Sequence, residues 1–248
     1  FIDNLVNIVK SSNVGCYISS AFAGILLYAD DIMLLAPTVT ALQIMLVACE
    51  LELKSIGMQI NVQKSACMRF GNRYDSPCSS IISLSGNTLK WVTSFKYLGI
   101  VIVSGKRFRC LFDACKKNFF GSFNAIFGRV GRFASEEVIL HLIRTKCLPV
   151  LLYAIEACPL LSRDVHSFEF VINRCLMKLF KTSSIVVVNE CCDFFGFTPI
   201  RLTIETRTVK FLERYISSEN IVCSCFARFA TAQLNGLRRA SAADMPVL

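Results

Sequence analysis

The chain has 248 residues, 54% of them hydrophobic, enough for one large domain or two small ones with a sizeable core, which excludes a disordered chain. Its formal net charge of +9, with a pI near 9.0, points to a polyanionic partner, either nucleic acid or an acidic membrane surface. Thirteen cysteines include no C-x-x-C pair, and several (Cys49, Cys67, Cys147, Cys158) lie in apolar runs, so they read as small hydrophobes in a reducing compartment, nuclear or cytoplasmic and not secreted.

In chain order, Phe1, Leu5 and Ile8 predict a short helix over 1–10, broken at Asn13-Val14-Gly15. Residues 16–19 read as a strand. Residues 22–27 and 32–36 read as two strands joined by Tyr28-Ala29-Asp30-Asp31. Thr38 or Thr40 caps the next helix, in which Leu42, Leu46, Cys49, Leu53 and Ile56 form an apolar stripe while Gln43, Glu50 and Lys54 fall on another face; Gly57 ends it. A strand over 65–70, a polar loop over 71–80 and short strands over 81–84, 88–92 and 97–103 follow. Residues 1–104 are therefore α+β and mostly antiparallel.

The character changes near Ser104-Gly105. Helical patterns run over 107–131, 135–156 with a break at Pro149, 162–181, 187–195 and 199–217. The expected organisation is an α+β region over 1–104, an all-helical region over 105–219 and a poorly defined tail over 220–248, frayed from 236. The uncharged stretches 11–29 and 32–49 are interrupted by polar residues or Pro37, so no membrane span is expected from them. Cys191-Cys192 and Cys223-Ser224-Cys225 lack the spacing of common zinc sites.

Two adjacent carboxylates between apolar runs are costly if buried, and bound metal is a common remedy. Side chains alternate faces along a strand, but at a hairpin tip two neighbouring aspartates can converge. Magnesium takes one or two carboxylates together with substrate phosphates, and two such ions suit nucleotidyl transfer. Seven basic residues in 105–132 (Lys106, Arg107, Arg109, Lys116, Lys117, Arg129, Arg132) stand against one acid, Asp113. Phe108, Phe112, Phe119, Phe120, Phe123 and Phe127 interleave with them. A helix with one apolar and one basic face would pack on a core while tracking phosphates.

Four segments in order resemble the reverse transcriptase of non-LTR (LINE-type) retrotransposons: residues 1–18, the run Ile25 to Leu35 around Tyr-Ala-Asp-Asp, Gly57 to Met68, and Phe95-Lys-Tyr-Leu-Gly-Ile. The resemblance implies an RNA-directed DNA polymerase, with 1–104 as the later half of an antiparallel palm and the helical remainder as a thumb-like region. Asp30 and Asp31 would hold magnesium, with two ions in the complete enzyme, and Asp30 would make the more direct contact. Tyr28 and Ala29 would lie under the primer end and the incoming nucleotide. Lys64 would assist the pyrophosphate leaving group, and Asn61 would set the turn before it. Tyr97, Leu98 and Gly99 would form the primer grip, and Lys106, Arg107, Arg109, Lys116 and Lys117 would contact nucleic acid. The implied partners are an RNA template, a DNA primer and deoxynucleoside triphosphates, and no membrane. The family also uses a third carboxylate and a Gly-Gln motif that precede these segments. Asp3 is not in a position to replace that carboxylate. The expectation is a palm-thumb fragment that does not polymerise alone. The alternative is a catalytically dead relic that only binds nucleic acid through its basic helical region.

Overall fold

The computed structural model describes residues 2–131 and 133–243 and shows an α+β chain with two compact units. Of the described residues, the first comprises 2–95, 103–108 and 216–230; the second comprises 96–102, 109–131, 133–215 and 231–243.

In the first unit, helix α1 (Ile2–Ser11) packs on α2 (Val39–Ser55). Thr38 caps α2 by accepting the Ala41 N–H at 3.1 Å. At its other end Gly57, with φ +74°, lets Met58 N–H reach Leu53 O at 2.9 Å. Leu5, Val9, Ile25, Met45, Cys49 and Leu53 form the core between these helices and the hairpin. The other face of α2 is also covered. Glu50 is buried and its Oε2 accepts the Leu84 N–H at 2.9 Å, while Gln43 exchanges two hydrogen bonds with the backbone of Ile82. The polar face of α2 is thus a docking face that satisfies the edge of a neighbouring strand.

The strands are short. β1 (Tyr17–Ile18) pairs with β2 (Ala21–Phe22), and β3 (Ile25–Tyr28) with β4 (Asp31–Leu34), both antiparallel. The run 22–27 is therefore split at Ala23-Gly24. A Cβ on Gly24 would lie 2.5 Å from the Phe22 ring and 3.0 Å from Met45 Cε, so this break holds a close approach that only glycine allows. β5 (Ala66–Cys67) pairs with β7 (Thr88–Trp91) in parallel, and β6 (Ile81–Ile82) pairs with β7 in antiparallel register. The parallel pair departs from the expected hairpin topology; α2 and this sheet share Leu46, Cys67, Ile81 and Leu89 as a second core.

The stretch 97–103, expected as one strand, is two. β8 (Ser94–Tyr97) ends at Tyr97, the chain turns through Leu98 (φ +45°) and Gly99 (φ +85°), and β9 (Ile100–Val103) returns. Two successive positive φ values are the signature of the tight hairpin turn that matches strand twist. β10 (Arg109–Leu111) adds to β9, so the sheet order is β10-β9-β8. The helix expected from 107 begins instead at Asp113, where α3 (Asp113–Val130) starts.

The second unit has one large core, including Phe112, Phe119, Phe123, Ile139, Ile143, Leu151, Phe168, Ile172 and Leu176. Pro149 does not break the helical path. A π-turn over Ile143–Cys147 lies between α4 (Glu136–Leu142) and α5 (Leu148–Leu151), and its wider winding accommodates the proline ring that a regular helix would press against the preceding turn. The break comes later, at Ala154 with φ +52°. The stretch Glu136–Ala157 is long and apolar enough to cross a membrane by length and composition, which 11–29 and 32–49 are not; its inward residues Ile139, Leu140, Ile143, Cys147, Leu151 and Leu152 belong to this core. α6 (Ser162–Leu179), α7 (Ile185–Phe194) and α8 (Ile200–Ile216) follow as expected to within a few residues. The tail is a helix, α9 (Ile221–Ala243), capped by Asn220, whose Oδ1 accepts the Val222 N–H at 2.9 Å.

Candidate active site

The hairpin β3–β4 positions the acid pair through simple alternation. Ile25 and Leu27 point into the core with Ile32 and Leu34. Leu26, Tyr28, Asp31 and Met33 therefore share the opposite face, with Tyr28 directly across from Asp31 and Leu26 across from Met33. Only Ala29 and Asp30 form the turn. Ala29 adopts φ +51°, a conformation that favours glycine, asparagine or aspartate.

Asp30 and Asp31 are both exposed, and Tyr28 is 62% exposed. The cost of buried charge that the flanking apolar runs suggested does not arise, because the tip extends past the core that the flanks line. Among the described residues neither carboxylate forms an ion pair. Two unpaired carboxylates are the hard oxygen donors that magnesium takes, with water or phosphate oxygens completing the shell. Among the described residues no third His, Cys, Asp or Glu joins them in a metal-binding group.

Lys64 lies in the turn after α2. Asn61 Oδ1 accepts the Lys64 N–H at 3.2 Å, and Asn61 O accepts the Lys64 and Ser65 N–H groups at 3.1 and 3.0 Å. Asn61 thus sets a turn that leaves Lys64 exposed, on a loop and not at a strand end. No ion pair links Lys64 to Asp30 or Asp31.

Residues 1–102 match the family model of the reverse transcriptase (RNA-dependent DNA polymerase). The matched residues include the Tyr28–Asp31 hairpin, the Asn61–Lys64 turn and the Leu98-Gly99 turn. No curated protein matches the chain.

Tyr97, Leu98 and Gly99, within the matched residues, sit at the tip of the β8–β9 hairpin, in the second unit. The close approach that Gly99 allows is made by Tyr153: a Cβ on Gly99 would lie 2.8 Å from its Cε1. Tyr153 is the site neighbour that no sequence pattern marked, since it lies 54 residues away in a helical run.

The basic residues are not on one helix face. Lys106 and Arg107 occupy the connection before β10, and Arg109 lies on β10. Lys116 is largely buried, paired with Asp113 at 2.9 Å and donating to Ser167 Oγ at 3.0 Å, so its ammonium is committed to the protein. Lys117 is exposed. Arg132 lies outside the described residues. Phe112, Phe119 and Phe123 are core residues of the second unit, so the aromatic stripe of α3 faces inward.

The cysteines do not gather into a metal site among the described residues. Burial pushes the thiols of Cys49 and Cys67 up to about 11, and those of Cys158 and Cys175 up to about 12. They stay neutral and pack as apolar side chains.

Proposed function

We propose that this chain is the palm-and-thumb part of a non-LTR retrotransposon reverse transcriptase, taking part in RNA-templated DNA synthesis by two-metal nucleotidyl transfer. The supporting observation is the hairpin tip: two exposed, unpaired carboxylates, one across from Tyr28, inside the segment that matches the reverse transcriptase family. Asp30 and Asp31 hold magnesium, Asp30 more directly. When bound, the metal lowers the barrier at the attacking and leaving oxygens. Tyr28 and Ala29 form the floor beneath the primer end and the nucleotide. Lys64, held out by the Asn61 turn, places positive charge or a proton at the departing pyrophosphate. Tyr97, Leu98 and Gly99 steady the primer, and exposed Lys106, Arg107, Arg109 and Lys117 meet phosphates.

Two carboxylates are one short of the family's set, so the chain alone is inactive in this reading. Its setting is a reducing compartment, nuclear or cytoplasmic. The test is primer extension on an RNA template with magnesium, using the chain alone and the chain joined to the polymerase segment that carries the third carboxylate and the Gly-Gln motif. Activity in the joined protein only, lost on Asp30→Ala, supports the reading. Activity of the chain alone contradicts the incompleteness. Silence of a folded joined protein that still binds nucleic acid favours a binding relic.

A further inference from the structure

The loop expected over 71–80 is pinned to the connection 104–108 within the first unit. Phe70 bridges Gly105, Gly71 N–H donates to Gly105 O at 3.0 Å, and Ser104 Oγ donates to Arg69 O at 2.6 Å. Arg69 in turn donates to Ser76 O at 3.3 Å, and Tyr74 N–H closes the turn onto Gly71 O at 3.1 Å. This scaffold sets Phe70 against Phe108, with ring centroids 5.9 Å apart and planes tilted by 38°. Aromatic pairs usually gain their stability by burial. Here Phe70 is 42% and Phe108 50% exposed, and Tyr74 beside them in sequence is 37% exposed. Three exposed cations lie close to the rings in sequence: Arg73 on one segment, Lys106 and Arg107 on the other. The opposing charge on these two segments is Asp75.

We infer that Phe70 and Phe108, with Arg73, Lys106 and Arg107, form a stacking platform for single-stranded nucleic acid. Exposed rings offer π-faces to unpaired bases, which a duplex hides, and the cations meet the phosphates of the same strand. The platform rests on the proposed function for its class of partner only, and is separate from the Asp30-Asp31 hairpin. Bases of RNA and DNA stack alike, so the shared chemistry is the unpaired base.

The test is fluorescence anisotropy of the whole chain with labelled single strands of about ten nucleotides, within the usual footprint of such sites, as oligo(U) and oligo(dT), and with a hairpin duplex. Phe70→Ala with Phe108→Ala is expected to weaken single-strand binding by about fivefold or more and leave duplex binding unchanged. Phe70→Tyr with Phe108→Tyr is expected to preserve it. Replacing Arg73, Lys106 and Arg107 by Gln is expected to lower the single-strand salt slope by about 2. Equal loss for both oligonucleotides supports recognition of unpaired bases in general; loss for oligo(U) alone assigns the platform to RNA. Unchanged single-strand affinity in the folded alanine variant, or equal loss on the duplex, overturns the platform while leaving the polymerase reading in place. If the alanine variant does not fold, the glutamine variant decides: an unchanged salt slope overturns the proposal. Failure of the unaltered chain to bind any nucleic acid overturns both readings.

Discussion

Tyr28 and Asp31 are cross-strand partners that close the β3–β4 hairpin, on the face opposite the core. Strand pleating fixes the direction of Asp31, whereas Asp30 is placed by the turn. The two carboxylates are therefore oriented by different local rules, and both depend on the two-residue length of the turn. One inserted residue would shift the register and turn Asp31 toward the core side.

Asp30→Asn and Asp31→Asn should leave the fold intact, because both side chains are exposed and unpaired. Thermal unfolding should show a change within about 0.5 kcal/mol, the usual range for such surface positions. Under the proposed function, in the chain joined to the segment that carries the third carboxylate, each should reduce primer extension by about two orders of magnitude or more. A large loss of stability in either variant would show that the pair has a structural role.

Ala29 carries the strain of the tip. A left-handed conformation costs an alanine about 1–2 kcal/mol, and glycine is free of it but loses about 0.5–1 kcal/mol through greater freedom in the unfolded chain. Ala29→Gly should therefore raise stability by about 0.5 kcal/mol, measured by urea unfolding, while Ala29→Val should lower it. Under the proposed function, a stabilised Ala29→Gly variant whose joined form extends primers less would show that the strained tip serves to hold the acid pair.

How much of this was legible follows from particular residues. Helix α2 was readable because Thr38, the apolar stripe and Gly57 all agree. The acid hairpin was readable because apolar runs flank a short polar step. The β8–β9 turn was not, because Leu98 is a poor indicator of positive φ and the run from Phe95 to Val103 is almost continuously apolar. The basic stretch misled because charge and phenylalanine spacing cannot reveal that 109–111 joins a sheet or that Lys116 is committed to Asp113 and Ser167. Pro149 looked like a stop because a π-turn has no sequence signature. The tail was not legible as a helix because its composition is ambiguous; its cap, Asn220, shows only in the structure.

Gly99→Ala combines a disfavoured φ with a 2.8 Å contact to Tyr153 Cε1. It should destabilise the second unit by about 1–3 kcal/mol. Adding Tyr153→Ala removes the contact but not the φ penalty, so a double-mutant cycle should show partial recovery. Additive losses would indicate that the ring moves aside freely.

Glu50→Ala should cost about 1–3 kcal/mol, because it removes a charged acceptor from the Leu84 N–H at a part-buried site. Glu50→Gln keeps an acceptor oxygen and should cost less. Chemical denaturation of the two variants checks the order; equal losses would mean that the charge, and not the hydrogen bond, matters.

The buried cysteines give the chain an alkaline limit. Cys158 and Cys175 are pushed up to about 12 by burial, from an ordinary value of 9.0. Between these values the unfolded chain releases thiol protons that the folded chain retains. Stability from this source is complete below pH 9 and falls as pH rises toward 12. Equilibrium unfolding across that range should show the decline, and Cys158→Ala with Cys175→Ala should lessen it, leaving the part due to Cys49 and Cys67, while lowering stability at neutral pH by the loss of packing. Native-state alkylation at pH 8 should in turn be slow at both cysteines and rise sharply on denaturation, since the thiolate is the reacting form.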